Sequence, residues 1–191
     1  MKLLIIILMA VSCATSNPTI TPDKPIESVS NEARQQPDDI QTTSNLVLFS
    51  ARELDMKNHV WLKPSIDCVH KVLNSKEFKD DLMAVKSFDY APKELTGIDV
   101  LNRLNQAKTV SVRTYYKRFG SAIAYTYYDA KEIYLNTKWT RPVYDIVNTL
   151  THELTHTIGF SHGDNYAYGK EKSVPYFVGD LASKQAKELC K

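Results

Sequence analysis

The apolar positions of this chain follow a helical period, then a period of two, then a helical period again. From Pro64 and Ser65 onward, Ile66, Val69 and Leu73 recur at helical spacing and predict a first helix. A second helix is predicted around 76–85, with Phe78, Leu82 and Val85 aligned, and a third around 98–105, with Ile98, Leu101 and Leu104. Val110 and Val112 then alternate with Ser111 and Arg113, which predicts a strand running to about Phe119. Gly120-Ser121 reads as a turn, 122–128 as a second strand, 129–131 as a turn and 132–136 as a third strand. Over 143–158 the helical period returns, with Val143, Ile146, Val147, Leu150, Leu154 and Ile158 on one face. A last helix is expected to start at a cap formed by Asp180, with Leu181, Gln185 and Leu189 roughly aligned. The order predicts an α+β fold: N-terminal helices, a small twisted mixed sheet, a long helix and a short C-terminal subdomain. The tyrosines of the strands read as residues of half-buried sheet faces, where Tyr packs well. An aromatic platform for carbohydrate is the lesser alternative.

The N-terminal quarter obeys none of these periods. Lys2 precedes an unbroken apolar run from Leu3 to Val11, nine residues long. A membrane-crossing helix needs roughly 20 residues, so the run reads as the core of an export signal. Ala10-Val11-Ser12-Cys13 resembles a bacterial lipobox, in which Cys13 is lipidated and becomes the first residue of the mature protein. The other reading is ordinary cleavage after Ala14 and secretion as a soluble protein. Residues 14–45 are rich in Ser, Thr, Pro, Asn, Asp and Gln and hold too little apolar surface to order themselves, which predicts a flexible polar linker. The chain therefore divides into a signal segment (1–13), the linker (14–45) and one domain (46–191).

Composition narrows the function. The 43% hydrophobic and 24% charged residues are ordinary for a globular domain. A formal net charge of +2 without a basic block argues against nucleic acid as a partner. The expected partners are a peptide or protein substrate and, through the N-terminal lipid, a membrane, with the chain monomeric. With Cys13 committed to lipid, Cys68 and Cys190 remain, and export permits a disulfide between them. Such a bridge would tie the C-terminus to the first helix and add about 4–5 kcal/mol in the chain-entropy picture. Two buried free thiols are the alternative.

The chemistry concentrates in His152-Glu153-Leu154-Thr155-His156-Thr157-Ile158-Gly159-Phe160-Ser161-His162. His152 and His156 lie one turn apart on the polar side of the predicted helix, with Asp145 and Thr149, away from the apolar stripe. Two imidazoles at i and i+4 match the span of one zinc ion. His162 reaches the same ion only if the chain turns sharply first, and Gly159 suits such a turn because glycine enters left-handed conformations at little cost. Three neutral imidazoles leave a fourth position for water, as catalytic zinc sites do. Glu153 is the candidate catalytic base.

This stretch resembles the long zinc-binding motif of the metzincin peptidases. The resemblance implies that His152, His156 and His162 bind Zn2+ and that Glu153 activates water. It further implies a zincin-like fold in which 122–128 is the edge strand that pairs with an extended peptide. The chain departs from the family after the third His. Where a tight turn with Met is expected it reads Ser173-Val174-Pro175-Tyr176, and its methionines are Met1, Met9, Met56 and Met83. Some family members carry a Tyr just after that turn, so Tyr176 is a candidate fifth ligand or oxyanion donor, against a packed or surface Tyr. Asp164 is a candidate acceptor behind a ligand imidazole, or a turn cap. His59 and His70 are not expected to be ligands. Two other functions fit the same residues: a zinc-binding surface lipoprotein without catalysis, and a hydrolase of cell-wall peptides.

Overall fold

The computed structural model describes residues 49–89, 91, 94–127, 130–139, 141–162 and 173–191. Cys13, the signal segment, the linker and Asp164 lie outside the described residues.

Six helices and a four-stranded mixed sheet make up the described residues. The chain enters through β1 (Phe49–Ala51) and α1 (Glu53–Asn58), then α2 (Leu62–Asn74), α3 (Lys76–Met83) and α4 (Gly97–Gln106). Pro64 sits in the first turn of α2, where its missing N–H costs nothing. Ser75 ends α2 and starts α3: its hydroxyl donates to Val72 O and accepts from Phe78 N–H. Thr96 and Asp99 form a reciprocal capping box at the start of α4.

The sheet follows as β2 (Val110–Tyr115), β3 (Ala124–Thr126) and β4 (Glu132–Asn136), in spatial order β1-β2-β4-β3. β1, β2 and β4 are parallel; β3 is antiparallel and forms an edge. Register places Phe49, Val110, Val112, Ile133 and Leu135 on one face, all buried, with Ala51, Ala124 and Thr126. The opposite face carries Arg113, Tyr115, Tyr125 and Tyr134. There Tyr125 stacks on Tyr134 at 5.0 Å between ring centroids, and Tyr115 meets Tyr125 edge-on. β2 stops at Tyr115 rather than near Phe119, because Lys117 N–H turns to the Asn136 side chain instead of a strand partner.

The apolar face is covered by α2 and α5 (Val143–Thr157), and α6 (Val174–Leu189) packs along α5. Leu62, Leu73, Phe78, Leu82, Leu104, Leu150 and Leu154 are completely buried between these layers, each contributing about 1.5–3 kcal/mol by leaving water. Thr151 and Thr155, also buried, give their hydroxyls to the carbonyls of Val147 and His152.

α6 departs from its expected start. It begins at Val174 behind Ser173, with Pro175 in its first turn, and Asp180 lies in mid-helix, accepting a 2.8 Å bond from Asn148 Nδ2. The segment 173–176 is thus the opening turn of a helix and not an isolated turn. A disulfide joins Cys68 of α2 to Cys190 at the end of α6, with Cα atoms 5.9 Å apart across 122 residues of sequence. No described helix is long and apolar enough to cross a membrane.

Candidate metal centre

The centre is built on the last turns of α5. Ile146, Val147, Leu150 and Leu154 bury one side of the helix, which turns His152, Glu153 and His156 toward the side it shares with β3 and α6. α5 then ends in two bonds that define a Schellman motif: Gly159 N–H to His156 O at 3.2 Å and Phe160 N–H to Thr155 O at 3.0 Å. Gly159 holds φ at 94°, a left-handed value that a residue with a Cβ adopts only with strain. Phe160 is buried just beyond, fixing the direction in which the chain returns.

That return brings the third histidine home. The Nε2 atoms of His152 and His162 lie 3.1 Å apart. Nitrogens bound to one tetrahedral zinc at roughly 2.0–2.1 Å stand about 3.3 Å apart, so this spacing is that of two ligands of a single ion. One donor atom from each of His152, His156 and His162 lies within 4.8 Å of the others. The donor chemistry fits as well. His156 Nδ1 is 2.7 Å from Phe160 O, so Nδ1 carries the proton and Nε2 keeps its lone pair for a cation. Ser173 Oγ stands 3.5 Å from His162 Nδ1. Burial, followed by the neighbouring imidazoles, pulls His152 down to about 3. Burial, then the His156 imidazole, pulls His162 to about 4, and burial lowers His156. All three are therefore neutral near pH 7, the form that ligates a metal. Three neutral imidazoles fit Zn2+, which favours nitrogen donors, better than Mg2+ or Ca2+, which favour oxygen.

Glu153 lies against β3. Burial pushes its carboxyl up to about 7, and the backbone N–H of Thr126 partly offsets this by hydrogen-bonding it. β3 supplies that N–H for a reason of register. Asn136 N–H bonds Ile123 O, and Tyr125 pairs with Tyr134, so residues 123 and 125 face β4. Alternation then turns the N–H and C=O groups of Ala124 and Thr126 to the outer edge. A carboxyl group poised near neutrality thus sits against the outer edge of β3.

α6 closes the floor. The Tyr176 ring packs 4.9 Å from the His152 ring and 4.7 Å from that of His162. Gly179, one turn further on, lets α6 approach: a Cβ there would lie 2.9 Å from Asn148 Oδ1, 3.1 Å from Asn148 O and 3.3 Å from His152 Cβ.

The structure brings His152, His156 and His162 together and packs the Tyr176 ring on two of them, with Glu153 turned to Thr126 of β3. His59 and His70 stand elsewhere: the first packs on Trp61, and the second accepts the Phe49 N–H at 3.1 Å. Phe160 O, the Thr126 N–H, Ser173 and Gly179 also shape the centre without being fixed positions of the motif. Of these only Gly179, a glycine within an amphipathic stretch, left a signal. Compared with models of known protein families, with curated proteins and with solved structures, the chain matches none.

Proposed function

We propose that this chain is a zinc-dependent endopeptidase, with His152, His156 and His162 holding one Zn2+ and Glu153 acting as general base. The observation that carries the reading is the meeting of three neutral imidazoles beside a carboxyl group whose affinity for protons is raised to about 7. A bare zinc site has no need of such a base. When bound, the zinc supplies a Lewis acid that acidifies water and polarises a carbonyl.

The rest is the work of the chain itself. Glu153, half in and half out of water, takes a proton from the attacking water at one carboxylate oxygen and delivers it to the leaving amine nitrogen. Its position against Thr126 aligns it with the edge of β3, where the outward groups of Ala124 pair with an extended peptide as an added strand. The Tyr176 ring, packed on His152 and His162, limits their rotation. Its hydroxyl is the candidate fifth ligand or oxyanion donor. The metzincin resemblance supports the same reading through the motif and the antiparallel edge strand. Where that family's motif is followed by a Met-containing turn, this chain has the opening of α6 with Tyr176. The signal segment and Cys13 make the protein an exported lipoprotein on this account.

Zinc content and cleavage of an unfolded protein such as casein test the proposal together. Activity lost to a chelator and restored by zinc is expected, with Glu153→Gln binding zinc and cleaving nothing. Full activity in zinc-loaded Glu153→Gln would remove Glu153 from its role. Absence of cleavage in a zinc-loaded wild-type chain would leave a metal-binding surface protein, and cleavage of cell-wall peptides but not casein would redefine the substrate.

A further inference from the structure

A second surface lies at the end of the sheet where β2 and β4 finish. Asn136 organises it. This side chain is buried, and its Oδ1 accepts both Lys117 N–H at 3.2 Å and Lys138 N–H at 3.1 Å. Its Nδ2 donates to Ala122 O at 3.2 Å and Lys117 O at 3.5 Å. One amide therefore staples the connection after β2 to the connection after β4 and brings the backbones of Lys117 and Lys138 to one acceptor.

What these connections display is unusual for a surface that meets only water. Tyr116 is 68% exposed and Phe119 78% exposed, while Lys117 and Arg118 project between them. The Arg118 guanidinium lies 5.5 Å from the Phe119 ring centre, and Lys138 Nζ lies 4.3 Å from that of Trp139. Arg141 adds a fourth cation on the same connection. Residues 115–127 and 133–139 contain no Asp or Glu. Among the described residues, none of Lys117, Arg118 and Lys138 takes part in an ion pair. The net charge of the whole chain is only +2, so this concentration of positive charge is local.

We propose that the exposed Tyr116, Lys117, Arg118 and Phe119, with the half-buried Lys138 and Trp139 beside them, form a docking surface for an anionic lipid bilayer. Exposed aromatic rings interleaved with cations match the water–lipid boundary: the rings enter the headgroup layer and the cations meet lipid phosphates. The expected tether argues for a bilayer over a soluble polyanion. A coil of about 32 residues reaches roughly 30 Å on average, which keeps the domain at high effective concentration against the membrane that holds its lipid. Docking would then orient the domain on its tether. The surface itself needs neither the lipid nor the zinc, so its test is independent of the peptidase reading.

The experiment uses exported chain carrying Cys13→Ser, with leader removal verified by mass. It measures co-sedimentation with vesicles of phosphatidylcholine alone and with added phosphatidylglycerol. Binding to the anionic vesicles, weakened by salt, is expected. Each cation near an anionic leaflet is worth roughly fivefold, so Lys117→Ala with Arg118→Ala lowers binding roughly 25-fold. Phe119→Ser weakens binding further, and Lys184→Ala on α6 leaves it unchanged. Circular dichroism and zinc content show whether each variant is folded. Equal partitioning to both vesicles, no binding, no effect of the loop variants, or binding to a soluble polyanion but not to vesicles would each overturn the proposal.

Discussion

Gly179→Ala is the smallest change that tests how α6 supports the proposed metal ligands. The added methyl would meet three heavy atoms inside 3.4 Å, the nearest being Asn148 Oδ1 at 2.9 Å. That oxygen has little freedom to retreat, because the same amide is bonded through Nδ2 to Asp180, one residue from the substitution. The backbone oxygen of Asn148 at 3.1 Å and His152 Cβ at 3.3 Å cannot swing aside without moving α5. Overpacking of this kind costs about 1–3 kcal/mol. Alanine returns about 1 kcal/mol through its better helix propensity. The net loss of stability is therefore small, roughly 0–2 kcal/mol. Zinc binding suffers more, because the displaced atoms include His152 Cβ and the helix that seats Tyr176 on two ligand rings. Disturbing the support of a ligand costs about 10–100-fold in metal affinity. Competition against a chromophoric chelator measures the affinity, and thermal unfolding of zinc-free chain measures the stability. Unchanged zinc affinity in a variant as stable as wild type or more so would refute the claim that α6 presses on the site.

Tyr176→Phe keeps the ring on His152 and His162, so zinc affinity is retained, whereas Tyr176→Ala lowers it; a fall in kcat alone for the Phe variant would assign a role to the hydroxyl. In zinc-free chain, Glu153 stabilises the fold below its usual value of 4.5, and that contribution, about 3 kcal/mol at most, is lost as pH rises toward 7. His152 and His162 act oppositely: their contribution is present above 6.5 and is lost as pH falls through about 4 and then about 3. His156, lowered by burial, acts in the same direction as His152 and His162, so the imidazoles outweigh Glu153 and wild-type stability rises between pH 4.5 and 6.5; Glu153→Gln makes the rise steeper, and urea midpoints across that range check the sign. Cys68→Ala with Cys190→Ala costs about 2–5 kcal/mol by urea unfolding, and a strong reductant produces the same loss in wild type.

The legible parts of this protein were the local ones. His152 and His156 are fixed by one helical turn, and the return of His162 depends on a bend that Gly159 announces three residues earlier. β4 was found at its observed bounds because its apolar and polar residues alternate over its full length. β1 and α1 were not found: three residues make too short a pattern, and Phe49–Ala51 is a strand only because β2, some sixty residues on, pairs with it. The start of α6 was misread for a different reason. Ser173 followed by Pro175 is a helix-opening signal, yet the family resemblance led to expecting a turn there, and Asp180 offered itself as a later cap. Gly179 is a contact that exists only once α5 and α6 have met. The Thr126 N–H and Phe160 O escaped notice because backbone groups have no letter of their own in a sequence.

Zinc stoichiometry combined with X-ray absorption at the zinc edge tests the central claim most directly. One zinc per chain is expected, with three imidazole nitrogens at about 2.0–2.1 Å, and one of them lost in His162→Ala. A chain that binds no zinc, or binds it equally well and with the same spectrum after His162→Ala, would contradict the account.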